Sequence, residues 1–238
     1  MKKKINLIGI GTDGNKSLTQ EAREQIWKST VLIGAERMLQ SVESIRKKEA
    51  GCYTSYRPED IMTILEQEKG EEISVLYSGD PGFYSGAKQL IKRLEGSGWE
   101  IRVLPGISSV ICMAARCQVP WEKAALVSLH GTGQNAVYEI CTHEHTFLLL
   151  GGRETAEQFL EKMSWYGLDH LEAAAGRDLS YEEEVFFRGT IRELMSELLS
   201  GLSVLWVHNP DYDTFVGRHL EDEELIRGKV PMTKSAVR

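Results

Sequence analysis

Cysteine is scarce in this chain and never occurs as C-x-x-C: Cys52, Cys112, Cys117 and Cys141 stand apart. That spacing excludes the usual redox and zinc motifs and reads as reduced thiols in a cytoplasmic protein. A long hydrophobic run is also missing. After the basic Met1-Lys2-Lys3-Lys4, the apolar stretch reaches from Ile5 to Ile10 and is broken by Asn6. This is too short for a signal-peptide core or a membrane span. Positive charge is in deficit, with 28 Lys and Arg against 35 Asp and Glu and a net charge of -7. Such a balance argues against a nucleic-acid partner, which calls for a basic stripe. It leaves acidic small molecules open, because a pocket can be locally basic. Internal repeats and low-complexity tracts are absent.

What is present is an alternation of β-prone runs and helical patterns over 238 residues. Ile5–Ile10, Val31–Ile33, Ile73–Tyr77 and Trp99–Leu104 read as strands. Thr19–Lys28, Glu36–Val42, Pro58–Lys69, Phe83–Leu94 and Ser108–Arg116 read as the helices between and after them. This βαβα order predicts a mainly parallel sheet with helices on both faces. The pattern pauses near Cys117-Gln118-Val119-Pro120-Trp121, where proline disfavours a continuing helix. Beyond it, Ala124–Leu129, Thr146–Leu150, Leu171–Ala175, Glu184–Phe187 and Leu202–Val207 read as strands. Glu154–Met163 and Ile191–Leu199 read as helices. The expectation is an α/β protein of two α/β domains, residues 1–117 with a mainly parallel sheet and residues 118–238 with a mixed sheet and a polar tail.

Two strands in the first half break into tight loops that open helices: Ser78-Gly79-Asp80-Pro81-Gly82 and Pro105-Gly106-Ile107-Ser108-Ser109. Loops at the carboxyl ends of neighbouring strands form the crevice where open α/β sheets bind ligands. A third loop spells G-x-G-x-x-G as Gly9-Ile10-Gly11-Thr12-Asp13-Gly14, with Glu36 further on, as in dinucleotide-binding proteins. That mechanism needs a helix to begin inside the glycine motif. Here the best start signal is the later Ser17-Leu18-Thr19-Gln20, of capping-box form. The glycines are therefore read as serving an unusual turn, with a nicotinamide-dependent oxidoreductase as the competing reading.

Taken together, these words resemble the tetrapyrrole methyltransferases. Their first loop is similar to G-x-G-P-G-D-P followed by L-T; this chain keeps Gly9, Gly11 and Leu18-Thr19 but has Thr12 at the proline and Asp13-Gly14-Asn15 for Gly-Asp-Pro. Gly79-Asp80-Pro81 and Pro105-Gly106-Ile107-Ser108-Ser109 are intact. Ser128-Leu129-His130-Gly131, Thr146–Leu150 before Gly151-Gly152, and Arg188-Gly189-Thr190 correspond as well. Tyr77 to Ser85, Leu129-His130-Gly131, Asn209-Pro210 and Val230-Pro231-Met232-Thr233-Lys234 resemble the branch acting late in corrin-ring synthesis. The last segment resembles the junction to a fused decarboxylating methyltransferase.

The resemblance implies S-adenosyl-L-methionine as cofactor, in a cleft between the domains, and a tetrapyrrole corrin precursor as substrate. It implies C5 methylation of precorrin-7 or its cobalt form, with the C15-methylating decarboxylase as a separate possible partner, and a homodimer. It places Thr12, Gly79, Asp80, Phe83, Ser108, Ser109, Leu150 and Gly151 at the cofactor. Each has a plainer alternative: helix capping for the serines, an Asx turn for Asp80, core packing for Phe83 and Leu150. His130 is the candidate base, or else a substrate-contacting or structural histidine. Arg57, Arg116, Arg153 and Arg177 are candidates for substrate carboxylates or are surface residues. No metal site is expected, since His143 and His145 find no third ligand at suitable spacing. Other methyltransferases of the same fold and a non-catalytic partner subunit remain alternatives.

Overall fold

The computed structural model describes residues 3–68, 72–129, 134–195, 199, 201 and 203–213. In the first half, β1 (Lys4–Gly9), β2 (Val31–Gly34), β3 (Gly51–Thr54), β4 (Glu72–Tyr77) and β5 (Glu100–Leu104) form one sheet in the order β3-β2-β4-β1-β5. All its pairings are parallel. Helices α1 (Gln20–Lys28), α2 (Glu36–Ser41), α3 (Pro58–Gln67) and α4 (Ala87–Leu94) cover it. Alternate residues of β1, together with Ile10 just after it, explain both faces. Ile5 and Leu7 pack with Ile61, Leu65, Leu90 and Leu94 of α3 and α4. Ile8 and Ile10 pack with Ala22, Ile26 and Leu39 of α1 and α2. Each fully buried Ile or Leu among them stabilises by roughly 1.5–3 kcal/mol relative to exposure.

The second sheet, in the order β6-β7-β10-β8-β9, is mixed, as expected. Here β6 (Ala125–Ser128) runs parallel to β7 (His145–Leu150), while β8 (Glu172–Arg177), β9 (Val185–Thr190) and β10 (Ser203–His208) add antiparallel pairings. Helices α6 (Ala136–Thr142) and α7 (Arg153–Trp165) bury one face. The other face is covered by α5 (Ser109–Cys117), which leaves the end of the first sheet and packs Val110 and Met113 against Phe147, Val204 and Trp206. This helix joins the two α/β units and fixes where the loops of the first meet the strands of the second. No helix among the described residues is long and apolar enough to cross a membrane.

Three local expectations change. Helix α1 is capped by Thr19, whose hydroxyl accepts from Ala22 N–H at 3.1 Å, and not by Ser17. Ser17 instead donates to Asp13 Oδ1 at 2.7 Å, holding the first loop together. Helix α4 begins at Ala87 rather than Phe83, because Tyr84 takes a left-handed φ of 45° that helix cannot continue. The segment after β9 forms a 3₁₀ turn, Ile191–Glu193, where the sequence predicts a helix beginning at Ile191; residues 196–198 of that predicted helix lie outside the described residues, and Thr190 and Glu193 close a capping box around the turn. Two short elements form where the sequence pattern predicts none: β3, largely exposed at a sheet edge, and α6.

Candidate functional site

The carboxyl ends of β4, β1 and β5 lie side by side, so the three glycine-bearing loops converge. Their backbones touch. A Cβ on Gly106 would stand 2.1 Å from the Gly79 carbonyl oxygen and 2.7 Å from the Gly9 carbonyl carbon, so no larger residue fits. Gly11 and Gly79 exchange backbone hydrogen bonds of 3.2 and 2.8 Å across the loops. The G-x-G of the first loop is thus used for loop-to-loop packing. Helix α1 starts only at Gln20, away from these glycines. Glu36 is occupied by Thr54 Oγ1 at 2.8 Å and Gln40 Nε2 at 3.0 Å. A dinucleotide fingerprint is therefore not formed.

Asp80 joins the same loops from its side chain. Its Oδ1 accepts from Gly82 N–H at 2.8 Å and its Oδ2 from Gly106 N–H at 3.0 Å. Ser108 caps α5, accepting from Ile111 N–H at 3.4 Å, and Ser109 opens that helix. The positive end of the α5 dipole and its unpaired first-turn N–H groups therefore point toward the loops.

Between the two sheets lies a cavity of about 660 Å³. Thr12, Gly79, Phe83, Ser108, Ser109, Leu150 and Gly151 all line it. Asp80 does not; its carboxylate is taken up by the loop contacts. His130 lies outside the described residues, as do Gly131 and Val230 to Lys234. The arginines proposed from sequence do not reach the wall. Arg116 pairs with Glu184, Arg153 with Glu157, Arg177 with Asp178, and Arg57 stands over Tyr56. His143 caps the end of α6, whereas the His145 ring packs at a tilt of 37° against both Trp206 and His208.

Several wall residues escaped the sequence reading. Arg37 follows β2, Tyr84 and Lys88 lead into and along α4, and Asp178, Leu179 and Tyr181 belong to the β8–β9 turn. Arg37 stands over the Tyr181 ring at 5.2 Å. Burial pushes the Tyr181 phenol up, with the Arg37 guanidinium opposing. No local motif marks these residues. Among the described residues, two cationic side chains, Arg37 and Lys88, and one carboxylate, Asp178, face a cleft otherwise lined by neutral residues; the excess of positive charge suits an acidic ligand.

A family model for the tetrapyrrole (corrin/porphyrin) methylases matches residues 4–195, both sheets' loops included. The chain belongs to this family. Among curated relatives, the precorrin-6Y C(5,15)-methyltransferase [decarboxylating] of Sinorhizobium sp is 35% identical over 127 residues, 53% of this chain and 30% of that longer protein. A probable cobalt-precorrin-7 C(5)-methyltransferase of Methanocaldococcus jannaschii is 26% identical over 161 residues, 66% of this chain and 75% of the relative. The same organism's cobalt-precorrin-4 C(11)-methyltransferase is 21% identical over 212 residues, 82% of each. The solved uroporphyrin-III C-methyltransferase from Thermus thermophilus, complexed with S-adenyl homocysteine, superposes with a TM-score of 0.66 at 16% identity, over 86% of this chain and 97% of that one. The methylase fold thus brings three glycine loops, the α5 amino terminus and the second sheet around one cleft.

Proposed function

We propose that this methylase is the S-adenosylmethionine-dependent enzyme that methylates C5 of precorrin-7 or cobalt-precorrin-7 in cobalamin biosynthesis. The observation that carries the ring position is the relative named for cobalt-precorrin-7 C5 methylation, aligned over three quarters of its own length. A second relative of that name, from Salmonella typhimurium, is 22% identical over 180 residues and aligned over 87% of its length. The methyl donor is S-adenosylmethionine, and the cleft fits it in size and chemistry. Its volume of about 660 Å³ falls inside the range of about 300–1,000 Å³ typical of small-molecule sites. The glycine contacts let backbone form its floor, and the serines and α5 N–H groups offer donors to a carboxylate.

In this reading Thr12, Gly79, Phe83, Ser108, Ser109, Leu150 and Gly151 surround the donor, and Asp80 holds the loops rather than touching a ribose. The bound donor supplies an electrophilic methyl group. The chain's residues position it, exclude water and leave the substrate carbon exposed. Arg37 and Lys88 would meet substrate carboxylates. His130 would contact the substrate or accept the proton lost after methylation. We put the domain boundary at residue 118 in this reading; the φ of 59° at Gln118, which ends α5, supports it. A homodimer and association with a separate decarboxylating C15-methyltransferase complete the proposal.

Calorimetric titration with S-adenosylhomocysteine, with NADH in parallel, tests the donor. Saturable binding of the first alone is expected, and binding of NADH instead would overturn the reading. Methyl transfer to cobalt-precorrin-7 compared with cobalt-precorrin-4 then tests the ring position. Preference for the second would favour the C11 reading that another relative's name supports.

A further inference from the structure

The β8–β9 turn reaches from the second sheet to the loops of the first. Asp178, Leu179 and Tyr181 from this turn form part of the cavity wall. Its backbone is strained: Asp178 has a φ of 50° and Ser180 a φ of 73°, values non-glycine residues seldom adopt. Such a conformation persists where surrounding contacts hold it.

Three contacts to the first half do so. Thr12 Oγ1 donates to Ser180 Oγ at 2.8 Å. Arg37 stands over Tyr181. Arg116 of α5 pairs with both oxygens of Glu184, and Glu184 Oε2 accepts the Ser180 N–H at 2.7 Å. Thr12 is itself held. It is 7% exposed, and its hydroxyl lies 3.7 Å from Cys112 Sγ on α5. A hydroxyl has one proton; with that proton on Ser180, the Cys112 thiol is the donor to Thr12.

We propose that Thr12 and Ser180 are positioning residues that fix the β8–β9 turn over the cleft. Ligand affinity then depends on a hydrogen bond between the two halves of the chain, through the placement of Asp178, Leu179 and Tyr181. The Thr12 hydroxyl of the first loop makes this tie.

The choice of S-adenosylhomocysteine as probe rests on the methyl-donor reading, so the test has an arm that does not need it. In hydrogen exchange without ligand, Thr12→Val is expected to speed exchange across residues 178–184, while Thr12→Ser keeps the wild-type rate. In calorimetry, Thr12→Val and Ser180→Ala are each expected to raise the Kd for S-adenosylhomocysteine roughly threefold to tenfold, the effect of one hydrogen bond. The double variant should be no worse than either single one, because both remove the same interaction. Thr12→Ser should restore affinity. Unchanged exchange in Thr12→Val, or additive losses in the double variant, would overturn the proposal. If the wild-type protein does not bind S-adenosylhomocysteine, the donor reading fails and the exchange result alone decides the tie.

Discussion

The two halves of this protein build opposite walls of one cleft by different means. In the first, the wall stands on a backbone junction: Gly9, Gly79 and Gly106 meet so closely that side chains are excluded there, and Gly79, Thr12, Phe83, Ser108 and Ser109 of these loops and the segments after them face the cleft. In the second, it is side chains and a strained turn, with Leu149, Leu150, Val204, Leu179 and Tyr181 at the surface. A parallel sheet sends neighbouring strand ends to one edge, so short loops can touch main chain to main chain. A mixed sheet has antiparallel connections that turn back, and one of those turns must arch across to finish the site. The first wall should therefore be intolerant of any added atom. The second should give way in steps as individual ties are removed.

Replacing Gly106 by alanine is the sharpest way to break the contrast. The new Cβ would fall 2.1 Å from the Gly79 oxygen, so the loops must separate. Loss of S-adenosylhomocysteine binding is expected, with destabilisation of about 3 kcal/mol or more, at the upper end for single substitutions. A thermal melt and a calorimetric titration check both; a variant that binds normally would show that the loops yield.

Met113→Ala attacks the join between the halves. Met113 is fully buried under the second sheet, and truncation of such a residue costs about 2–5 kcal/mol. Chemical denaturation should register that loss, whereas an effect within 0.5 kcal/mol, roughly the scale of surface changes, would mean that α5 is loosely seated.

Asp80→Asn separates loop-holding from ligand contact. An amide keeps one acceptor oxygen but puts an NH₂ opposite a backbone N–H. A loss of about 1–3 kcal/mol is expected from the unsatisfied group, and S-adenosylhomocysteine binding should weaken along with stability. Weakened binding with an unchanged melting temperature would place Asp80 at the ligand instead.

The mildest test is acid. Burial works against the Glu184 carboxylate, but the Ser180 N–H and Arg116 outweigh it and hold its pKa below the ordinary 4.5. A carboxyl depressed in the folded state contributes stability that is full above its unfolded value and is lost as pH falls through the folded one. Glu184→Gln should accordingly flatten part of the decline in stability below about pH 4.5, followed by denaturation at stepped pH values. An acid limb identical to the wild type would remove Glu184 from the ties of the turn.

Legibility followed range along the chain. The βαβα rhythm, the parallel and mixed sheets and the Pro105–Ser109 loop could be read directly, because strand and helix periods are local. So could the loop residues Gly79 and Ser108. The amphipathic pattern of α4 continues back to Phe83 and so predicts too long a helix, while the turn that delays it is set by Asp80, Ser85 and the φ of Tyr84. Strand β3 offered no alternation to find, being exposed at the edge. Arg37 and Tyr181 were unreadable as site residues because they are far apart in sequence and carry no motif.

Periodicity, glycine placement and helix-start chemistry, all properties of neighbouring residues, determined that this chain forms two α/β units with ligand loops at strand ends. The folded molecule alone decided that Asp80 ties loops, that the first G-x-G packs against Gly79, and that Thr12 reaches Ser180. Each of those is a contact between segments distant in sequence, whose partners are chosen only when strand order and the path of α5 bring them together.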